Sequence, residues 1–305
     1  MTPRCPACGE AVGPRDRWCE ACGAALHEVE VAAAPARPEP GGHDRRELVD
    51  GPVAAVTDRG TTHWRNEDAV GVRWIAGDPG GFAMVVCDGV SMSQDPHLVA
   101  QAAADTALAA LGDALGRGDG LDAALVGATA AAQWAAAAVP FDRAADLGPG
   151  ACTFVAAAVR GRRAAFASVG DSRAYWVDAT GAVQIGHDDS LAAELVASGA
   201  YTAWQAIASA GAHALTKWLG VDATDTAPTV TSVELPGPGL VVLASDGLWN
   251  YAPEAVDLAR LIGPTGAERP LDLARRLAAF AERAGGADNI TVAVGRHDPD
   301  RAELP

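Results

Sequence analysis

Apolar and polar positions divide this chain into short strand-like runs and alanine-rich helical stretches. Ala69–Ile75 (AVGVRWI) and Phe82–Cys87 (FAMVVC) flank the turn-rich AGDPGG, which predicts an antiparallel hairpin. Helices are predicted at about Asp95–Leu115 and Leu121–Ala138. Cys152–Val159 and Arg163–Gly170, with Arg160-Gly161 between them, form a second hairpin pattern that Arg173–Val177 continues. Thr229–Leu235 and Leu240–Ser245 then read as strands. Leu271–Gly286 reads as an amphipathic helix closed by glycine, and Ile290–Arg296 as a last strand. Hairpins with grouped helices predict α+β layers rather than a doubly wound parallel sheet.

Before this region the pattern fails. Residues 29–48, rich in alanine, proline and charge, have no apolar period and predict a flexible linker, so the main domain is expected over 49–297 and a short tail over 298–305. Residues 1–28 hold two C-x2-C pairs, Cys5/Cys8 and Cys19/Cys22, each followed by glycine. Two such turns complete a tetrahedral thiolate shell, and so short a segment cannot build its own apolar core. The segment resembles the zinc-ribbon family, which implies one structural zinc; a disulfide or redox pair is the other use of such cysteines. Ribbons bind proteins or nucleic acids.

Charge narrows the choice. The chain has 305 residues, 39 Asp and Glu against 23 Lys and Arg, and a formal net charge of −16. Such a chain is poorly suited to phosphate backbones or anionic membrane surfaces, so the ribbon is expected to contact protein. Excess carboxylate suits hard cations, although solubility alone also accounts for net charge. The sequence shows neither a signal peptide nor a membrane span, and the expected location is the cytoplasm.

The acids have a position as well as a number. Asp68 precedes the first strand of the first hairpin and Asp88 follows the second, so both fall at one end. Asp246 follows Leu240–Ser245, and Asp288 precedes Ile290–Arg296. If those two strands pair antiparallel, all four acids meet on one rim of the sheet. Carboxylates brought together repel, and divalent ions with oxygen ligands hold them naturally.

Eight blocks in order carry a resemblance: GTTHWRNEDAV, VVCDGVS, GACTFVAAAV, SVGDSRAYWV, DDSLAAELVASG, LTKWLG, LASDGLWN and ADNITVAV. From about Val53 to Arg296 the chain resembles the metal-dependent protein phosphatases of the PPM type, also called protein phosphatase 2C. The resemblance implies a four-layer α-β-β-α sandwich of two antiparallel sheets, preceded here by the ribbon. It also implies hydrolysis of phosphoserine and phosphothreonine with two manganese or magnesium ions, Asp88 bridging them and Gly89 adding its carbonyl. Asp246 and Asp288 complete the protein ligands, while Glu67 and Asp68 hold metal-bound waters. Some members place a third ion at the residue matching Asp171; a plain turn is the alternative role there. Asn289 is expected to order the loop of Asp288, and Cys87 and Cys152 to be small core residues.

Two departures stand out. Many relatives hold the substrate phosphate with an arginine at the position of His63, and Arg65 lies two residues further on; either is expected to take the phosphate here. Where some relatives have a histidine after the Asp-Gly, this chain has Val90. These departures support the alternative of a weak or inactive phosphoprotein-binding scaffold. The substrates implied are phosphoproteins made by serine/threonine kinases, with a composition of bacterial type.

Overall fold

The computed structural model describes residues 44–299, apart from 78, 203, 204, 207, 208, 210, 212, 213 and 265–267. The four cysteines of the expected ribbon lie outside the described residues.

The main body is built on two antiparallel sheets. The first has six strands in the order β1 (Arg45–Asp50), β2 (Val53–Asp58), β13 (Ile290–His297), β12 (Gly239–Ala244), β8 (Arg173–Asp178) and β9 (Gly181–Ile185). The second has five, in the order β11 (Thr229–Glu234), β7 (Arg163–Val169), β6 (Phe154–Arg160), β4 (Gly81–Cys87) and β3 (Ala69–Ile75). A two-residue pair joins β5 (Ala151–Cys152) to β10 (Leu219–Gly220).

Helices cover both outer faces. On the five-stranded sheet lie α1 (Pro96–Arg117) and α2 (Leu121–Ala137), whose Ala100, Ala103, Ala104, Ala107, Leu111, Leu125 and Ala128 bury against Ala83, Val85 and Ala156. On the six-stranded sheet lie α5 (Ala255–Ile262) and α6 (Pro270–Ala284). In α6, Leu273, Ala274, Leu277, Ala278 and Ala281 repeat at three- and four-residue steps, so one stripe faces the sheet. Between the sheets, Val70, Phe82, Met84, Phe166, Trp176, Val241 and Leu243 form the central core. Gly295 of β13 keeps this seam narrow, because a Cβ there would stand 2.5 Å from the Phe82 ring. The layers are the α-β-β-α order expected.

The remaining described residues, 190–214, form a smaller unit. It contains α3 (Leu191–Ala197), whose Ser190 hydroxyl accepts from the Ala193 N–H at 3.4 Å, and the Leu191 N–H donates to the Ala214 carbonyl at 2.9 Å.

Two expectations need correction. The linker does not run to residue 48: β1 begins at Arg45 and pairs with β2 in full register. Its sequence RRELVD escapes apolar periodicity because β1 is an edge strand, and exposed charge is how edges are kept from pairing further. The four acids do not share one rim: β3 and β4 belong to the five-stranded sheet, whereas β12 and β13 belong to the six-stranded one. By length and composition alone α1 could span a membrane, and half of that window is buried inside the protein.

Candidate metal centre and active site

Each acid is placed by a strand end. The register Ala69↔Cys87 puts Asp68 and Asp88 side by side at one end of the β3–β4 hairpin. The pairing Ala244↔Val292 brings Asp246 and Asp288 to the corresponding end of β12 and β13. Asp246 opens a single helical turn, α4 (Asp246–Trp249). The two sheet ends meet, so that Asp88 experiences the charges of Asp68, Asp246, Asp171 and Asp288 together.

Hydrogen bonds fix the frame. The Asp88 N–H donates to Thr153 Oγ1 at 3.0 Å, and the Thr153 N–H donates to the Asp88 carbonyl at 2.8 Å. Gly89 then stands opposite Cys152. Ser245 Oγ donates to Asp68 Oδ2 at 2.8 Å. Asn289 is the hub of the neighbouring loop: its Oδ1 accepts from the Glu67 N–H at 2.7 Å, and its Nδ2 donates to the carbonyls of Arg59 at 2.8 Å and Arg65 at 3.1 Å. The order expected from Asn289 therefore extends to the whole segment 59–67. Gly60 completes this loop at φ 72°, where a Cβ would lie 2.2 Å from the Asp288 carbonyl oxygen.

The electrostatics are those of anions forced together. Burial pushes Asp68 well above the usual carboxylate range; repulsion from Asp288 and Asp246 adds to this, against hydrogen bonds from Thr291 and Ser245. Burial does the same to Asp88, with Asp68 and Asp246 the strongest repelling neighbours. Asp246 is pushed up to about 6, by burial and then by Asp288. Asp171, almost wholly buried, is pushed up to about 7, by burial and then by Asp246 and Asp188.

Cations fit this arrangement. Asp68 Oδ1 and Asp246 Oδ1 are buried without any hydrogen-bond donor. A buried carboxylate oxygen left bare is costly, and a divalent ion supplies what it lacks. Among the described residues no three Asp, Glu, His or Cys groups already close on one point as a metal cage.

The remaining candidates separate. His63 Nε2 lies 3.2 Å from Asp288 Oδ1. Glu67 Oε2 accepts from Ser91 Oγ at 2.5 Å. Arg65 turns to His97, with its Nη1 at 3.1 Å from Nδ1 and bonded to Nε2, and its guanidinium lies 4.4 Å from the Trp64 ring centroid. Cys87 and Cys152 are fully buried free thiols, as expected of core residues. Ser245, Thr153, Ser91 and His97 went unnoticed in the sequence. Ser245 and Ser91 had a signal, because each lies within three residues of a candidate acid; His97 had none.

Known proteins share this chain's sequence and fold. Serine/threonine protein phosphatase PstP of Mycobacterium tuberculosis is 31% identical over 252 residues, which is 79% of this chain and 44% of that protein. The chain thus spans less than half the length of that relative. The crystal structure of the Mycobacterium tuberculosis serine/threonine phosphatase PstP/Ppp superposes with a TM-score of 0.67 at 28% identity, covering 81% of this chain and 98% of that one. The catalytic domain of PstP in complex with two manganese ions gives a TM-score of 0.59 at 27% identity, covering 81% and 98%. The family model described as protein phosphatase 2C matches residues 59–280, most of the chain, and the chain therefore belongs to the protein phosphatase 2C family.

Proposed function

We propose that this chain is a metal-dependent protein phosphatase that hydrolyses phosphoserine and phosphothreonine. The observation that carries the reading is the pair of buried, unpartnered oxygens, Asp68 Oδ1 and Asp246 Oδ1, within a five-aspartate cluster. The relative bound to two manganese ions supports it.

Asp88, Asp246, Asp288 and the Gly89 carbonyl would hold two manganese or magnesium ions, with Glu67 and Asp68 acting through water and Asp171 offering a place for a third. Such a pair supplies a water acidic enough to attack phosphorus at neutral pH, and offsets charge on the phosphoryl oxygens. The protein's own share is placement. Thr153 fixes the backbone of Asp88, Ser245 orients Asp68, and Asn289 ties the Glu67 backbone to the loop of Asp288. Arg65 or His63 meets the substrate phosphate. Val90 brings no proton donor to the leaving oxygen.

Cys5, Cys8, Cys19 and Cys22 would hold one zinc in a module that contacts protein partners. The substrates fitting the family are phosphoproteins made by serine/threonine kinases.

Purified protein with manganese should release phosphate from a phosphothreonine peptide, and Asp246→Ala should not. A scaffold, the reading that His63 in place of arginine favours, would bind the peptide and release nothing.

A further inference from the structure

Two large apolar side chains stand open to solvent beside the acid cluster. Trp64 is 64% exposed and Met92 is 78% exposed. Each is placed by its neighbour in the chain. His63, which precedes Trp64, has its Nε2 3.2 Å from Asp288 Oδ1. Ser91, which precedes Met92, donates from Oγ to Glu67 Oε2 at 2.5 Å. The two loops also pack against each other, because a Cβ on Gly89 would lie 2.7 Å from the Glu67 carbonyl oxygen. Trp64 and Met92 therefore sit on adjoining loops, each one residue from a group that touches an acid of the site.

Trp64 is held in place as well as exposed. The Arg65 guanidinium lies 4.4 Å from its ring centroid, and Arg65 Nη1 is itself 3.1 Å from His97 Nδ1. The Trp64 carbonyl accepts from Arg59 Nη1 at 3.5 Å. An indole pinned in this way has little side-chain freedom left to lose when it is covered. Met92 is the opposite kind of surface, unbranched and able to follow the shape placed against it.

We propose that Trp64 and Met92 are specificity residues, which receive a large apolar side chain of the substrate next to its phosphorylated residue. The inference rests on the phosphatase reading and adds the substrate class to it. That class is phosphopeptides with an aromatic or branched aliphatic residue within about two positions of the phosphothreonine, since consecutive Cα atoms stand about 3.8 Å apart and Trp64 is one residue from the group on Asp288. The occupant is the substrate because the apolar surface is continuous with the site: a chain covering Trp64 and Met92 also passes His63 and Ser91, and hence Asp288 and Glu67. Covering the indole and the thioether releases water only when a flank of matching character arrives, so the contact discriminates between peptides rather than between phosphates.

The test follows phosphate release by the manganese-loaded full-length protein from two phosphothreonine peptides, one with tryptophan and leucine flanking the phosphothreonine and one with alanine at those places. p-Nitrophenyl phosphate serves as the reference without flanks. The parent should prefer the apolar peptide by about fivefold or more in kcat/KM, mostly through KM. Trp64→Ala should remove most of that preference and Met92→Ala a smaller part, while Trp64→Phe, which keeps an aromatic face, should retain much of it. The loss caused by Trp64→Ala should be about fivefold greater on the apolar peptide than on p-nitrophenyl phosphate. An equal loss on both, or a loss that follows a lowered thermal midpoint, overturns the proposal. A parent that hydrolyses both peptides alike also overturns it and leaves the phosphatase reading standing. A parallel titration by fluorescence anisotropy uses the same peptides with a non-hydrolysable phosphonate. If the apolar peptide binds more tightly there, through Trp64, while the parent releases no phosphate from any substrate, the inference stands and the phosphatase reading falls.

Discussion

Ser245 and Asp68 join the two sheets at the acid cluster. The Ser245 hydroxyl at the end of β12 donates to Asp68 Oδ2 at 2.8 Å, while the same oxygen accepts from the Thr291 N–H of β13 at 2.9 Å. Asp68 stands at the start of β3, in the other sheet. A single buried hydroxyl thus sets the angle at which a carboxylate from one layer meets the acids of the next.

Ser245→Ala should therefore do more than remove a hydrogen bond. Losing a bond to a buried acid costs about 1–3 kcal/mol. The thermal midpoint should fall accordingly, and the manganese concentration for half-maximal activity should rise. A variant with lowered stability but unchanged manganese dependence would show that Ser245 is only a packing residue.

Asp88→Asn and Asp246→Asn should fold and lose turnover. Metal assistance is worth several kcal/mol, so activity should drop at least about a hundredfold. The metal-free midpoint should rise rather than fall, because each change removes one buried repelling charge. Phosphate release and calorimetry without metal check both halves.

Stability should depend on pH in opposite ways with and without metal. Asp246 is pushed up to about 6 and Asp171 to about 7, so between the unfolded carboxylate range and those values the folded chain binds more protons than the unfolded one. In EDTA, stability contributed by this cluster should decline as pH rises from about 4 towards about 7. Manganese displaces those protons, so its stabilising effect should be larger at about pH 7.5 than at about pH 5.5. Scanning calorimetry at both pH values decides; a manganese effect that shrinks at the higher pH contradicts the cluster.

Gly60→Ala should damage a loop that carries no charge at that position. The new Cβ would meet the Asp288 carbonyl oxygen at 2.2 Å, and the backbone has φ 72°. Strain of this kind costs about 1–3 kcal/mol. The expected result is a lower thermal midpoint together with weaker manganese binding, measured by titration.

The strand-end Asp-Gly pairs made much of the cluster legible. Hairpin register alone puts Asp68 beside Asp88, and antiparallel neighbours put Asp246 beside Asp288. Apolar periodicity tells which face of a strand is inside, but not which sheet a strand joins, so the meeting of two sheet ends was out of reach. It missed β1 because an edge strand is free to be charged, and the turn of α4 because four residues carry no period. The Arg65–His97 contact joins residues 32 apart through the start of a helix, where no local pattern marks it.

The narrow seam at Gly295 reaches beyond packing. Since the acids arrive from opposite layers, the gauge between those layers also sets how far apart the carboxylates stand. A larger residue at 295 would act as a wedge beneath Phe82, and catalysis could fail through a substitution in the interior that never touches metal or substrate.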